Sequence, residues 1–212
     1  MVRSGFYFVC SVFVICFLLS CGGEERDLLT LSPAIKEWAS FKEGSYWIFS
    51  NDSTGSLDSL FVGYNGTEVY PSADGTHDVE GVNTTLTSSN NDLLGFIFGI
   101  GLKEVAFQDS GIEIEYSCAA GFNIENSFIK EEKILKGYYA WSVERVSDQV
   151  INGITYTDVI FIEVKHLDIE GEFIEGMVNK YWISNHNWII KKTYTEDGKT
   201  YSWSLLRNYI IQ

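Results

Sequence analysis

Proline is nearly absent from this chain, at 2 of 212 residues, and cysteine is scarce where it could matter. Cys10, Cys16 and Cys21 crowd the first 21 positions, leaving Cys118 alone in the remainder. A lone thiol cannot form an intramolecular disulfide, so cross-linking is not what holds this chain together. Positive charge is also thin. Lys and Arg number 15 against 29 Asp and Glu, a formal net charge of −14. Phosphate binding needs clustered Lys and Arg, and so does adsorption to anionic lipid headgroups, so the composition argues against nucleic acid and against a basic membrane-surface patch. No uncharged apolar run reaches the roughly 20 residues that a membrane-spanning helix needs.

What is present is a globular balance of 45% apolar and 21% charged residues, which excludes a largely disordered chain. Aromatics reach 15%, with 14 Phe, 12 Tyr and 6 Trp, alongside 19 Gly. Rich aromatics and many turn glycines predict a β-rich fold, and the length predicts one domain or two at most.

The N-terminus reads as an address. Phe6 to Leu19 is an uncharged apolar run of 14 residues behind Arg3, the length of a signal-peptide core. It ends in Leu18-Leu19-Ser20-Cys21, which resembles the bacterial lipobox. The resemblance implies cleavage before Cys21, a diacylglycerol on its sulfur and an acylated amine, and two or three acyl chains anchor durably where one does not. Glu24, Glu25 and Asp27 follow, and acids just past a lipidated Cys look like the surface-export signal of Bacteroidetes lipoproteins. A merely solvated acidic tether fits the same residues. The expected organisation is a signal peptide over 1–20, a lipidated Cys and acidic tether over 21–31, and a β domain over 32–212.

Within that domain Ser32-Pro33 opens one short helix, Ser as N-cap and Pro at the first helical position, expected to pack against or plug a sheet. From Gly44 onward the pattern is that of strands. Asn51 to Gly55 is a turn cluster, and Asn65-Gly66 and Asn152-Gly153 read as hairpin turns, as does Glu196-Asp197-Gly198-Lys199. Ile112, Ile114 and Tyr116 alternate with Glu113, Glu115 and Ser117, the mark of a sheet with one wet face, and Ile160, Ile162 and Val164 alternate with Phe161, Glu163 and Lys165. Cys118 extends the first series and reads as a structural thiol. Val79 to Leu86 reads as a poor edge strand, and Leu93 to Leu102 as a bent core strand or a flexible lip. In the last strand Tyr201, Trp203, Leu205 and Tyr209 are expected on one face. The fold class expected is mainly β: a single strongly curved antiparallel sheet, an open barrel or a sandwich, with one short N-terminal helix.

A second resemblance lies in Gly44-Ser45-Tyr46-Trp47-Ile48-Phe49, in Asn152 to Val159, and in Tyr181-Trp182-Ile183, Trp188 to Lys192 and Trp203-Ser204-Leu205 with Tyr209. These look like elements of uncharacterised Bacteroidetes outer-membrane lipoproteins. The usual ending has Gly before the Ile-Lys strand, where this chain has Asn187, a residue that also tolerates the left-handed conformation. The resemblance implies architecture and location and brings no activity with it.

The search for chemistry is mostly empty. His77, His166 and His186 are far apart in sequence and make no zinc-ligand spacing, and there is no Gly-x-Ser-x-Gly, P-loop or His-Glu-x-x-His. Asp52, Asp74, Asp78, Asp92 and Asp109 lack calcium-loop spacing, so no metal and no cofactor are expected. Asp52-Ser53-Thr54 and Asp58-Ser59-Leu60 look like the O-glycosylation acceptor of Bacteroidetes. The reading that follows is a membrane-anchored lipoprotein of the bacterial envelope with a structural or docking role. It is expected on the outer membrane, with the surface favoured over the periplasmic face. Its partners would be the membrane, the lipoprotein processing and sorting machinery, and an envelope protein. Two alternatives are a carrier of a hydrophobic ligand, walled by Tyr46, Trp47, Trp182, Trp188, Tyr201 and Trp203, and a surface hydrolase using carboxylates.

Overall fold

The computed structural model describes residues 26–72, 74–89, 96–100, 104–109, 118–123, 133–135, 139–168, 170, 172–196 and 198–212. The first element comes earlier than expected. β1 is Leu28–Leu29, inside the stretch read as tether, and Leu31 behind it is already buried. Helix α1 follows at Pro33–Ala39. The strands after it are β2 (Tyr46–Asn51), β3 (Leu57–Pro71), β4 (Asp78–Ser88), β5 (Phe96–Ile100), β6 (Glu104–Asp109) and β7 (Cys118–Asn123). Then come β8 (Lys133–Leu135), β9 (Tyr139–Val146), β10 (Gln149–Ile151), β11 (Ile154–Tyr156), β12 (Val159–Leu167), β13 (Phe173–Ser184), β14 (Trp188–Glu196) and β15 (Lys199–Tyr209).

The mainly β expectation holds. One 13-stranded sheet runs in the order β7-β6-β5-β4-β3-β2-β15-β14-β13-β12-β9-β8, with β1 added parallel to β4 and β10–β11 a separate hairpin. Every neighbouring pair along that order is antiparallel. It is two meanders joined where the first long strand meets the last, β2 against β15. The sheet curls until β7 comes within 8 Å of β9 and β12, yet the described strands do not close into a barrel by pairing.

One face carries the core. Trp47 and Phe49 of β2, Leu60 and Val62 of β3, Leu86 of β4, Ile162 and Val164 of β12 and Tyr181 of β13 are all buried. Helix α1 delivers Trp38, and Phe41 just beyond it wedges at 0% exposure against Trp47 (5.1 Å, edge-on) and Trp188 (6.4 Å). The helix is the expected plug, held by burial of large aromatic area rather than by its own seven residues.

Three sequence readings need correction. Asn65-Gly66 makes no hairpin: both lie inside the 15-residue β3, Asn65 opposite Thr84 and Gly66 opposite Asn83. Asn65 Nδ2 donates to Thr84 Oγ1 (2.8 Å), and the missing side chain of Gly66 makes room for the Tyr64 hydroxyl. The chain reverses instead at 72–77, where Asp74 accepts from Ser72 and Thr76 and Gly75 takes φ +71°. Val79 to Leu86 is no edge strand, because β4 is paired on both sides. Tyr209 does not share the face of Leu205. A bulge between Leu205 and Arg207 shifts the register, so Tyr209 stacks on Tyr46 (5.9 Å) while Asn208 donates to Asn187 Oδ1 (3.0 Å).

Two turn readings hold. Asn152-Gly153 turns with φ of 50° and 78°, and Glu196 pairs with Lys199 across Gly198 at φ 72°. The 93–102 window contributes β5, an interior strand. Ile112, Ile114 and Tyr116 lie outside the described residues, and Cys118 begins β7. At the Asn187 turn the left-handed residues are its neighbours His186 (φ 62°) and Trp188 (φ 60°), not Asn187.

Candidate functional site

A concavity lies where the turn after β2 meets the β14–β15 hairpin. Asn51 builds the turn. Its Oδ1 accepts from the backbone N–H of Ser53 and Thr54, both at 3.0 Å. Its own N–H donates to Ser56 O (2.8 Å), and Gly55 supplies the required φ of 71°. The Thr54 and Ser56 hydroxyls share an exposed hydrogen bond of 2.8 Å. Opposite, the tight Glu196–Lys199 reversal places Tyr194 directly across from Tyr201. Their rings stack at 4.7 Å and 14°. Between turn and hairpin is a cleft of about 530 Å³, with Trp203 also in its lining.

Electrostatics separate this cleft from the acidic remainder of the surface. Asp52 sits in the same turn but its carboxylate points to the other face. There it accepts from Ser202 (2.6 Å) and Ser204 (3.1 Å) and faces Lys191 at 3.5 Å. Burial pushes its pKa up, but those hydroxyls and the lysine outweigh burial and hold it below the ordinary range. Among the described residues the cleft lining carries Lys199 and no carboxylate.

The two inner-face tryptophans of the central strands differ. Trp47 Nε1 donates to Asn187 O at 2.7 Å. Trp203, 4% exposed, has a buried Nε1 with no hydrogen-bond partner among the described residues.

The residues expected to wall a hydrophobic ligand are not gathered into one wall. Trp47 and Trp188 are core around Phe41. Trp182 is half-buried on the outer face against Phe161 (5.0 Å) with Lys191 over its ring, and Tyr46 is exposed beside Tyr209. Only Tyr201 and Trp203 reach the cleft. Cys21, Glu24 and Glu25 lie outside the described residues. Asp27 is exposed, but its carbonyl is pinned by the Asp78 N–H (3.0 Å).

The histidines stay apart. His166 is buried on β12 with Nε2 3.5 Å from Asn179 Nδ2, His186 is 3.8 Å from Glu37 in its turn, and His77 bonds Thr76 Oγ1 (2.7 Å). Among the described residues no three His, Cys, Asp or Glu side chains group to hold a metal. A hydrolytic acid would need a carboxyl held above its ordinary range. Asp52, Asp74, Glu80 and Glu163 are all held below it, Glu80 by hydrogen bonds from Lys36 and the Leu31 N–H. Of the two acceptor-like serines, Ser53 is exposed in the turn. Ser59 is half-buried within β3, next to Asp58, whose buried carboxylate accepts from Ser88, Ser89 and the Ser59 N–H.

The sequence reading missed the Tyr194–Tyr201 pair. The signal was there: a two-residue turn at 197–198 sets 194 opposite 201.

No protein-family profile and no curated protein sequence matches the chain. Among solved structures, it is similar to a provisionally assigned lipoprotein from Parabacteroides distasonis, at 11% identity and a TM-score of 0.44, covering 79% of this chain and 96% of that one. A likeness at that level decides nothing about function.

Proposed function

We propose that this chain is a lipid-anchored protein of the bacterial envelope, carried on the outer membrane and turned to the cell surface, which acts by docking or binding and not by catalysis. The observation that carries the reading is Leu18-Leu19-Ser20-Cys21 at the end of an uncharged apolar run. The fold suits such an anchor. Leu28, where the chain is pinned along β4, lies seven backbone steps beyond Cys21, and seven extended steps reach at most about 25 Å. A lipid on Cys21 would therefore hold the β1–β4 end of the sheet next to the bilayer.

Metabolic labelling with an alkyne fatty acid tests the anchor. The wild-type chain should take up label and fractionate with membranes, and Cys21→Ala should do neither. An unlabelled wild-type band would end the proposal. Surface display has its own test: replacing Glu24, Glu25 and Asp27 together by Ala should reduce protease accessibility on intact cells, and unchanged accessibility would reduce that segment to a tether.

A further inference from the structure

We infer that the cleft between the 51–56 turn and the β14–β15 hairpin is a saccharide-binding subsite, with Tyr201 as the platform for a sugar ring. The inference stands on the cleft alone, so failure of the anchor at Cys21 would leave it intact, and the reverse. A pyranose has an apolar C–H face and a rim of hydroxyls, and the cleft offers the complement of both. Tyr201 is 36% exposed; one ring face is covered by Tyr194 at 4.7 Å and the ring also lines the cleft. Around it stand hydroxyls with spare hydrogen-bonding capacity. Thr54 and Ser56 bond each other, and both remain exposed. Ser53 adds a further exposed hydroxyl.

The platform is held rigidly. Tyr201 sits in a paired position two residues from the hairpin turn, and Tyr194 is backed by the Lys192 ammonium at 5.7 Å from its ring. A stacked ring loses little freedom when a ligand lands on it. The volume, about 530 Å³, falls in the range of small-molecule sites. An acyl chain filling the same space would cover these hydroxyls without offering them hydrogen bonds, which is costly. A phosphate-rich ligand would find one lysine in a chain of net charge −14. Lys199 is the one charged side chain among the described lining residues and offers an acidic sugar a counter-charge.

The test uses the full chain in detergent, titrated calorimetrically with cellohexaose, chitohexaose and hexagalacturonate. At least one should bind saturably. Tyr201→Ala should weaken that binding about tenfold, while Tyr201→Phe, which keeps the ring, stays near wild type. Lys199→Ala should weaken hexagalacturonate selectively, and Ser56→Trp, which fills the cleft from the turn, should abolish binding even if Tyr201→Ala proves poorly folded. Tyr46→Ala removes an equally exposed tyrosine from the outer face and should change nothing. Absence of saturable binding by all three probes up to roughly 10 mM overturns the inference. So does equal loss in Tyr46→Ala, or unchanged binding in Ser56→Trp.

Discussion

Two indoles on the same face of the sheet make a natural comparison. Trp47 has its N–H bonded to Asn187 O, and Trp203 has no partner among the described residues. Breaking a buried bond leaves the carbonyl unpaired, whereas removing an unpaired donor relieves a cost already present. Phe replacement removes similar volume at either site, so the difference reports the hydrogen bond. Trp47→Phe should lower stability by about 1–3 kcal/mol more than Trp203→Phe in urea unfolding; equal losses would refute the contrast. Glu80 is the other informative residue. Its carboxylate accepts from Lys36 Nζ and the Leu31 N–H, both at 2.8 Å, tying the N-terminal segment to β4. These bonds favour the charged form and depress the pKa. A depressed acid adds stability that is full above the unfolded-state pKa and is lost as pH falls through the folded-state value. The chain should therefore lose stability on acidification below about pH 4.5. Glu80→Gln should be less stable at neutral pH and should lose less on acidification, read by melting temperature against pH.

At the scale of elements, the short helix matters less than the aromatic it brings in. Phe41 is fully buried between Trp47 and Trp188. Phe41→Ala should cost about 3–5 kcal/mol, a large share of the roughly 5–15 kcal/mol that holds a domain folded, and should expose hydrophobic surface to a dye. A loss under 1 kcal/mol would mean that the plug is dispensable. Hairpins show how local chemistry and pairing compete. Asn152-Gly153 behaves as its dipeptide predicts, and Asn152 Nδ2 also donates to Leu205 O at 2.8 Å. The same dipeptide at 65–66 is overridden. There β3 keeps a neighbour along its length, and straight ladder bonds to β4 replace the turn. A turn signal is a preference of about 1 kcal/mol, which a run of paired backbone groups outweighs.

For the whole molecule, the decisive contact joins the first long strand to the last. β2 pairs with β15, Ser45 Oγ accepts from the Ile211 N–H (2.9 Å), and Lys42 Nζ reaches Gln212 O (2.7 Å). Each meander alone would leave a long open edge, and their junction covers both. The N-terminal boundary follows the same logic. A chain starting at Arg26 should fold as the full domain. One starting at Ser32 loses β1, the burial of Leu31 and its bond to Glu80, and should be about 3 kcal/mol less stable. Equal unfolding midpoints for the two would return the 28–31 segment to the tether.

What the sequence determined by itself is what adjacent residues decide. The apolar run into Cys21, the alternation in Ile160, Ile162 and Val164, the Ser32-Pro33 helix start, and the turns at Asn152-Gly153 and Glu196–Lys199 are short-range matters of hydropathy, dihedral preference and capping. The tertiary structure decided which strands meet and in what register. It ran β3 through Asn65-Gly66, placed a bulge after Leu205 that turned Tyr209 outward, and divided the expected aromatic wall between core, outer face and cleft. The reason is that register has period 2. One extra residue in a strand moves every later side chain to the opposite face, and which strand absorbs that residue depends on a partner more than 150 positions away.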